Sequence, residues 1–284
     1  WLKPFSRALV SPPVPGSSAL RAVEGRAART PDPIPNKMQD FDAECRPLSS
    51  YRARDVKWVG RETRLDFIRK VYGILSCQLL VTTVVSAWIY SNGQNTEWLR
   101  SHEWLLWLSV AMTMSTICVM ACCDQTCKIY PTNYIFLYLF TVFEAIMVGF
   151  VSAIFTWQSV LLAAGISVFV FLGLTLYACN TEVDFTGSGP YLFAALMCLG
   201  VFGIVLALLP SLGITVEMAT AFYDFIGVLL FAFYIIFDTQ LMLGEYGGHR
   251  LNLSIDDYVF ASLNLYMDIL NLFLHMLSLL GERR

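Results

Sequence analysis

Four polar residues, Asn264, Asp268, Asn271 and His275, interrupt the apolar stretch LNLYMDILNLFLHML (263–277) at spacings of four, three and four. At 100° per residue they fall within about 60° of one another on an α-helix, a single polar stripe on an apolar cylinder. Asp224 and Asp238 stand in the preceding apolar run, and Glu144 stands in an earlier one. A carboxylate at mid-bilayer costs roughly 2.5–3.5 kcal/mol on insertion scales, so each of these needs a partner, water or a purpose. Asp224 lies about one turn from the start of its run, where interfacial water is expected to solvate it. Glu144, eleven residues into its run, is either a protonated interhelical hydrogen-bond donor or part of an ion path.

Asp238 and Asp268 form the pair with the most chemistry. Their two runs make an antiparallel hairpin; Asp238 lies ~7.5 Å from the end of the first and Asp268 ~13.5 Å into the second, at 1.5 Å per residue. If the carboxyl groups meet in a poorly solvated seam, they cannot both ionise cheaply, and one proton is shared between them. Such a pair is a proton-sensitive latch between two helices, or a transient site for a hard cation such as Ca²⁺, which prefers carboxylate oxygens. The plainer alternative is two separate protonated aspartates that only hold helices together. Asn264 and Asn271 flank Asp268 on its face and are placed to bond either protonation state. His275, seven residues on, is either an interhelical hydrogen-bond partner or a relay.

The elements that must position these residues follow from composition. The 284 residues are 56% hydrophobic and 14% charged, with mean hydropathy +0.58, against about 25% charged in soluble domains. The net charge of −3 selects no partner, and the absence of a basic face with interleaved aromatics argues against nucleic acid. Seven apolar runs, at about 71–90, 104–123, 133–155, 159–179, 191–209, 222–243 and 259–280, each approach the ~20 residues that cross a bilayer. The breaks between them, such as SNGQNTE, NTEVDFTGSGP and PSLGITVE, are rich in Gly, Pro and Asn. Open sheets cannot face lipid, so the expected fold is all-α, with seven transmembrane helices. In SIDD, Ser254 and Asp257 fit an S-x-x-D capping box at the start of the last helix.

Residues 1–58 are rich in Pro, Arg and Ser and read as a disordered tail ahead of a membrane domain at 59–284; a mitochondrial transit peptide is the alternative for its early part. The chain opens on Trp1 rather than Met, which leaves room for a segment ahead of it. Seven basic residues between 51 and 70, namely Arg52, Arg54, Lys57, Arg61, Arg64, Arg69 and Lys70, place the N-terminal side in the cytoplasm. The eight cysteines lie mostly in or beside apolar runs and do not read as a disulfide framework. Cys122, Cys123 and Cys127 are either inert or candidates for S-acylation.

The hairpin GVLLFAFYIIFDTQLMLG … LSIDDYVFASLNLYMDILNLFLHMLSLLG, with FIRKVYGILSCQLLVTTVV and NYIFLYLFTVFEAIMVGF, resembles the transmembrane BAX inhibitor motif family, and within it the Lifeguard branch, over roughly residues 60–284. The resemblance implies that the last helix is central, surrounded by the other six. It also implies a pH-sensitive Ca²⁺ leak across endomembranes (ER or Golgi) or the plasma membrane, modulation of Ca²⁺ homeostasis and restraint of cell death. Ca²⁺ would be the permeant ion, with no cofactor, and death-pathway membrane proteins would be partners. The switch aspartates map onto Asp238 in FDTQ and Asp268 in LYMDIL. Bacterial relatives latch the sixth-span aspartate to an arginine near the cytoplasmic end of the second span. Here that region, CCDQTCKIYP, offers Lys128 as the candidate latch, a point charge without arginine's fork.

Other readings of two membrane aspartates differ in testable ways. A non-conducting scaffold for death-pathway or receptor proteins would tolerate removal of the acids. An intramembrane aspartyl protease would use Tyr223–Asp224 with Asp268, but bulky Leu265 and Met267 stand where a Gly-x-Gly would admit substrate backbone. A proton-coupled transporter would show substrate-dependent proton flux. The expected function is non-enzymatic.

Overall fold

The computed structural model describes residues 37–93, 96–122, 131–214, 217–244, 253 and 257–284, with side chains from Glu62 onward. Among the described residues the chain forms eight α-helices: α1 (Lys37–Asn92), α2 (Thr96–Ser101), α3 (Glu103–Cys122), α4 (Thr132–Ser152), α5 (Trp157–Asn180), α6 (Gly189–Leu208), α7 (Glu217–Leu243) and α8 (Tyr258–Leu280). Their only extended pairing is an isolated bridge between Phe155 and Arg283. Six helices are long and apolar enough to cross a bilayer: α1 from Glu62, α4, α5, α6, α7 and α8. α3 (Glu103–Cys122) is 20 residues long; its stretch Glu103–Val119 is apolar but is not among the six. The expected count of seven therefore depends on α3.

Helix ends follow local chemistry. Gly244 ends α7 with φ 53°, a left-handed conformation that glycine adopts without a Cβ penalty and that closes many helices. α8 begins at Tyr258 with Asp257 at its N-cap and no side-chain capping bond from it; Ser254, the other member of the expected capping box, lies outside the described residues. α1 extends back to Lys37, inside the segment read as a disordered tail; no glycine interrupts 37–59. Of the described cysteines, Cys77, Cys118, Cys179 and Cys198 are free. The side chains of Cys122, Cys123 and Cys127 lie outside the described set.

α8 sits at the centre. It packs against α7, α1, α5 and α4, and Leu265, Tyr266, Leu272 and Leu277 are all buried. Large apolar side chains of the outer helices, among them Leu161, Phe169 and Leu172 on α5 and Val201 and Ile204 on α6, are exposed, as lipid solvation requires. Exposed Trp88, Trp104, Trp107 and Trp157 gather where α1 ends and α3 and α5 begin, an aromatic girdle of the kind found at a membrane interface. At that same end the chain after α8 is pinned to the α4–α5 turn: Thr156 donates to Glu282 O (3.0 Å) and Arg284 to Ile154 O (2.9 Å).

Inside the bundle, hydroxyls bond back to their own helix. Thr82 donates to Gln78 O, Thr141 to Leu137 O and Ser167 to Ala163 O, each at 2.8 Å, so they enter the apolar interior satisfied. Other bonds tie helices together, among them Gln78 Nε2 donating to Thr141 Oγ1 (3.1 Å) and Thr82 meeting the Tyr266 hydroxyl (2.7 Å).

Gly149 sets the closest approach of α1 and α4, because a Cβ there would lie 2.9 Å from the Cβ of Ile89. That atom is next to the backbone and cannot swing away. Gly149→Ala is therefore expected to lower stability by about 1–3 kcal/mol, measured by thermal unfolding in detergent, and Ile89→Ala in the same chain should recover part of the loss.

Candidate functional site

On α7, Asp224, Gly227, Phe231, Tyr234 and Asp238 recur at spacings of three, four, three and four; on α8, Asn264, Asp268, Asn271, His275 and Ser278 recur at four, three, four and three. Each set forms one stripe, and a 3.5-residue period is what keeps two packed helices in register. The antiparallel α7–α8 contact, matched in extent by that of α1 with α4, is one of the two most extensive in the fold. It brings the two stripes together and holds polar groups at two levels.

At the level near the α7–α8 loop, Asp238 and Asp268 are both buried, and their carboxyl groups face each other closely enough for a hydrogen bond between them when one is protonated. A carboxylate has no hydrogen to donate, so this bond requires one proton between the two acids. The Tyr234 hydroxyl is in electrostatic range of both. Neither that hydroxyl nor Asp268 Oδ2 has a hydrogen-bond partner, although both are buried. The flanking asparagines do not fill that role. Asn271 Nδ2 donates to its own helix at Met267 O (2.8 Å), and Asn264 is half-buried beside the pair on the stripe. The rest of FDTQ is structural: Gln240 lies about 200° around α7 from Asp238 and grips the α5–α6 loop, accepting from Phe185 N (2.8 Å) and donating to Val183 O (2.9 Å).

At the opposite level, Asp224 is 4% exposed, so interfacial water does not solvate it as its place near the helix start suggests. One carboxylate oxygen meets His275 Nδ1 at 2.9 Å, and the other accepts from the Ser278 hydroxyl. The imidazole stacks on Phe231 at 5.7 Å and meets Tyr223 edge-on at 5.2 Å. Gly227 makes room for it, since a Cβ there would lie 2.6 Å from three ring atoms. The signal was present in the sequence: Asp224 stands fourteen residues, four near-integral turns, before Asp238 and so on the same face. This arrangement also separates Asp224 from Asp268, so the aspartyl-protease dyad is not assembled.

Glu144 is buried on α4 and interacts with Tyr266, which points about 200° away from Asp268 on α8; it belongs to the α1–α4–α8 contact rather than to the aspartate seam. Lys128 lies outside the described residues. Among the described residues no cluster of three or more His, Cys, Asp or Glu could hold a metal ion. Ca²⁺ takes six to eight oxygens, more than the pair and Tyr234 offer.

Comparison with known proteins places this architecture. A family model described as "Inhibitor of apoptosis-promoting Bax1" matches residues 64–284. The chain is 30% identical to Protein lifeguard 3 of Homo sapiens over 236 residues, covering 80% of this chain and 72% of that one. It is 33% identical to Bax inhibitor 1 of Schizosaccharomyces pombe over 221 residues, 78% of each chain. Protein lifeguard 3 of Mus musculus is 28% identical over 275 residues, covering 91% of this chain and 84% of the relative.

The Asp224–His275 contact is expected to act as a unit. Asp224→Asn and His275→Gln should each destabilise the protein, and the double variant should cost less than their sum by about 0.5–3 kcal/mol, read by unfolding in detergent. Strict additivity would show that the two groups do not support one another.

Proposed function

The chain belongs to the Bax inhibitor family, on its Lifeguard branch, and on that premise we propose that it is a pH-sensitive Ca²⁺ leak whose gate is the Asp238–Asp268 pair. It is a multi-pass integral membrane protein. Its relatives' names associate it with the control of cell death, and the proposed role is modulation of Ca²⁺ across endomembranes or the plasma membrane, which restrains that pathway. The single observation that carries the reading is the buried pair of facing carboxyl groups in the contact between two helices at the bundle centre.

The physical logic is an exchange of one cation for another. With its proton, the pair is a hydrogen bond that joins α7 to α8. Without it, two negative charges face each other in a poorly solvated seam, and they separate or attract a hard cation to replace the proton. The unpartnered Asp268 Oδ2 and Tyr234 hydroxyl give that cation further oxygens. Lipid on the outer helices keeps water from the pair except through the helix ends, so proton and Ca²⁺ compete for one place. The N-terminal side is assigned to the cytoplasm, supported by Arg69 and Lys70 at the start of the first apolar segment. The pair then lies nearer the cytoplasmic face, with Asp224–His275 toward the opposite one.

The test is Ca²⁺ flux into dye-loaded proteoliposomes between about pH 5 and 8, spanning the range where shared protons titrate. Asp238→Asn and Asp268→Asn, which preserve shape and hydrogen bonding but remove the acid, are each expected to flatten the pH dependence of the leak. A leak and pH profile unchanged by both substitutions would overturn the reading in favour of a non-conducting scaffold.

A further inference from the structure

Among the basic residues at the start of the first apolar segment, Arg64 is set apart by burial. Arg69 is exposed and paired with Asp66 (3.3 Å), and the Lys70 ammonium stands 3.5 Å over the ring of Tyr258. Arg64 is only 8% exposed. Its guanidinium lies 4.8 Å from the Phe67 ring centroid, and its terminal nitrogens donate to Leu253 O (2.8 Å) and Leu241 O (2.9 Å). Leu253 N donates to the same Leu241 carbonyl (3.0 Å). One side chain of α1 thus fastens the last turn of α7 to the segment that leads into α8.

The position is chemically apt. Leu241 O belongs to the terminal carbonyls that a helix leaves without intrahelical partners, and a cation is favoured there by the helix dipole. Burying a charge costs several kcal/mol unless its hydrogen bonds are made, and a planar fork makes two at once where an ammonium is a point charge. Asp238 lies three residues before Leu241, and α8 starts five residues after Leu253. The clamp therefore sits about one turn from one member of the acid pair and at the root of the helix that carries the other.

We propose that Arg64 is a positioning residue for the Asp238–Asp268 pair: by fastening the end of α7 to the approach to α8, it sets how closely the two carboxyl groups meet and closes the seam at that end. The proposal rests on reading the pair as a proton-sharing gate. The ionisable groups around the pair do not substitute for it. Tyr234 of α7 faces both acids, Cys179 of α5 interacts instead with Tyr72 of α1, and Glu144 of α4 faces Tyr266 on the other side of α8.

The experiment uses the full chain in proteoliposomes. The infrared band of protonated carboxyl groups, assigned by its loss in Asp238→Asn and Asp268→Asn, is titrated in wild type and in Arg64→Lys, with Ca²⁺ flux recorded on the same vesicles. Arg64→Lys is expected to move the midpoint of that band and the pH profile of the leak together, and to add nothing in an Asp268→Asn background. A loss of thermal stability with both midpoints unmoved overturns the proposal, since that is what a merely structural arginine would give. Amide exchange in the wild-type chain covers a variant that fails to fold. Protection of the Leu253 N–H, corrected for intrinsic rate, should change through the carboxyl midpoint and cease to do so in Asp268→Asn; protection independent of the pair overturns the clamp. A carboxyl titration moved by Arg64→Lys in vesicles without a leak supports the clamp and overturns the leak reading. A leak gated by the aspartates but indifferent to Arg64 overturns the clamp alone.

Discussion

A bilayer offers no hydrogen bonds, so each polar atom that α8 carries into the bundle must be met by protein or held at a cost. That constraint explains why the most polar of the spanning segments is also the most buried one. Asp268 is answered by Asp238 of α7, His275 and Ser278 by Asp224 of α7, and Tyr266 by Thr82 of α1. These answers come from opposite sides of α8, which therefore has protein on both. A helix carrying such a set cannot sit at the edge of the fold, and the outer positions fall to α5 and α6, whose side chains ask only for lipid.

The α7–α8 seam depends on matched spacing as much as on matched chemistry. Both helices place their seam residues every three or four positions, so one contact runs through several turns without the stripes drifting apart. Between the two polar levels the seam is aromatic, with Phe231 stacked on the imidazole of His275 and packed 6.1 Å from Tyr234. Gly227 is the concession that lets an imidazole lie against the α7 backbone. A larger residue there would push the helices apart at one level and misalign the carboxyl groups at the other.

Much of this was legible in the sequence because apolar runs of membrane length leave few alternatives. The all-helical architecture and the α7–α8 hairpin follow from run lengths, and a count of residues from the loop shows that Asp238 and Asp268 can reach each other, without deciding that they do. Asp224 was misread because nearness to a helix start was weighed as exposure, while the fourteen-residue interval that puts it on the face of Asp238 was left unused. Asn271 differs for another reason: a stripe says which side chains share a face, but an asparagine with an open carbonyl on the preceding turn can bond locally, as its Nδ2 does to Met267 O. In the sequence Arg64 is one of seven flanking basic residues, read only for the orientation they set. Its role depends on where Leu241 and Leu253 come together, a tertiary fact with no local trace.

The two polar levels of the seam differ in a way that separates support from switching. Asp224 has a hydrogen-bond partner on each carboxylate oxygen, one from His275 and one from Ser278. A group satisfied in this way has little to gain from binding anything else. Asp268 is held through its bond to Asp238 while its Oδ2 has no partner, and the nearby Tyr234 hydroxyl is in the same condition. Buried polar atoms left this way are costly, and a packed membrane core would discard them if rigidity were all they had to supply. Arginine or lysine opposite Asp268 would have given a stronger tie than a second acid. Two acids instead make a tie that holds only while a proton is present, which is the physical basis of the gate proposed above.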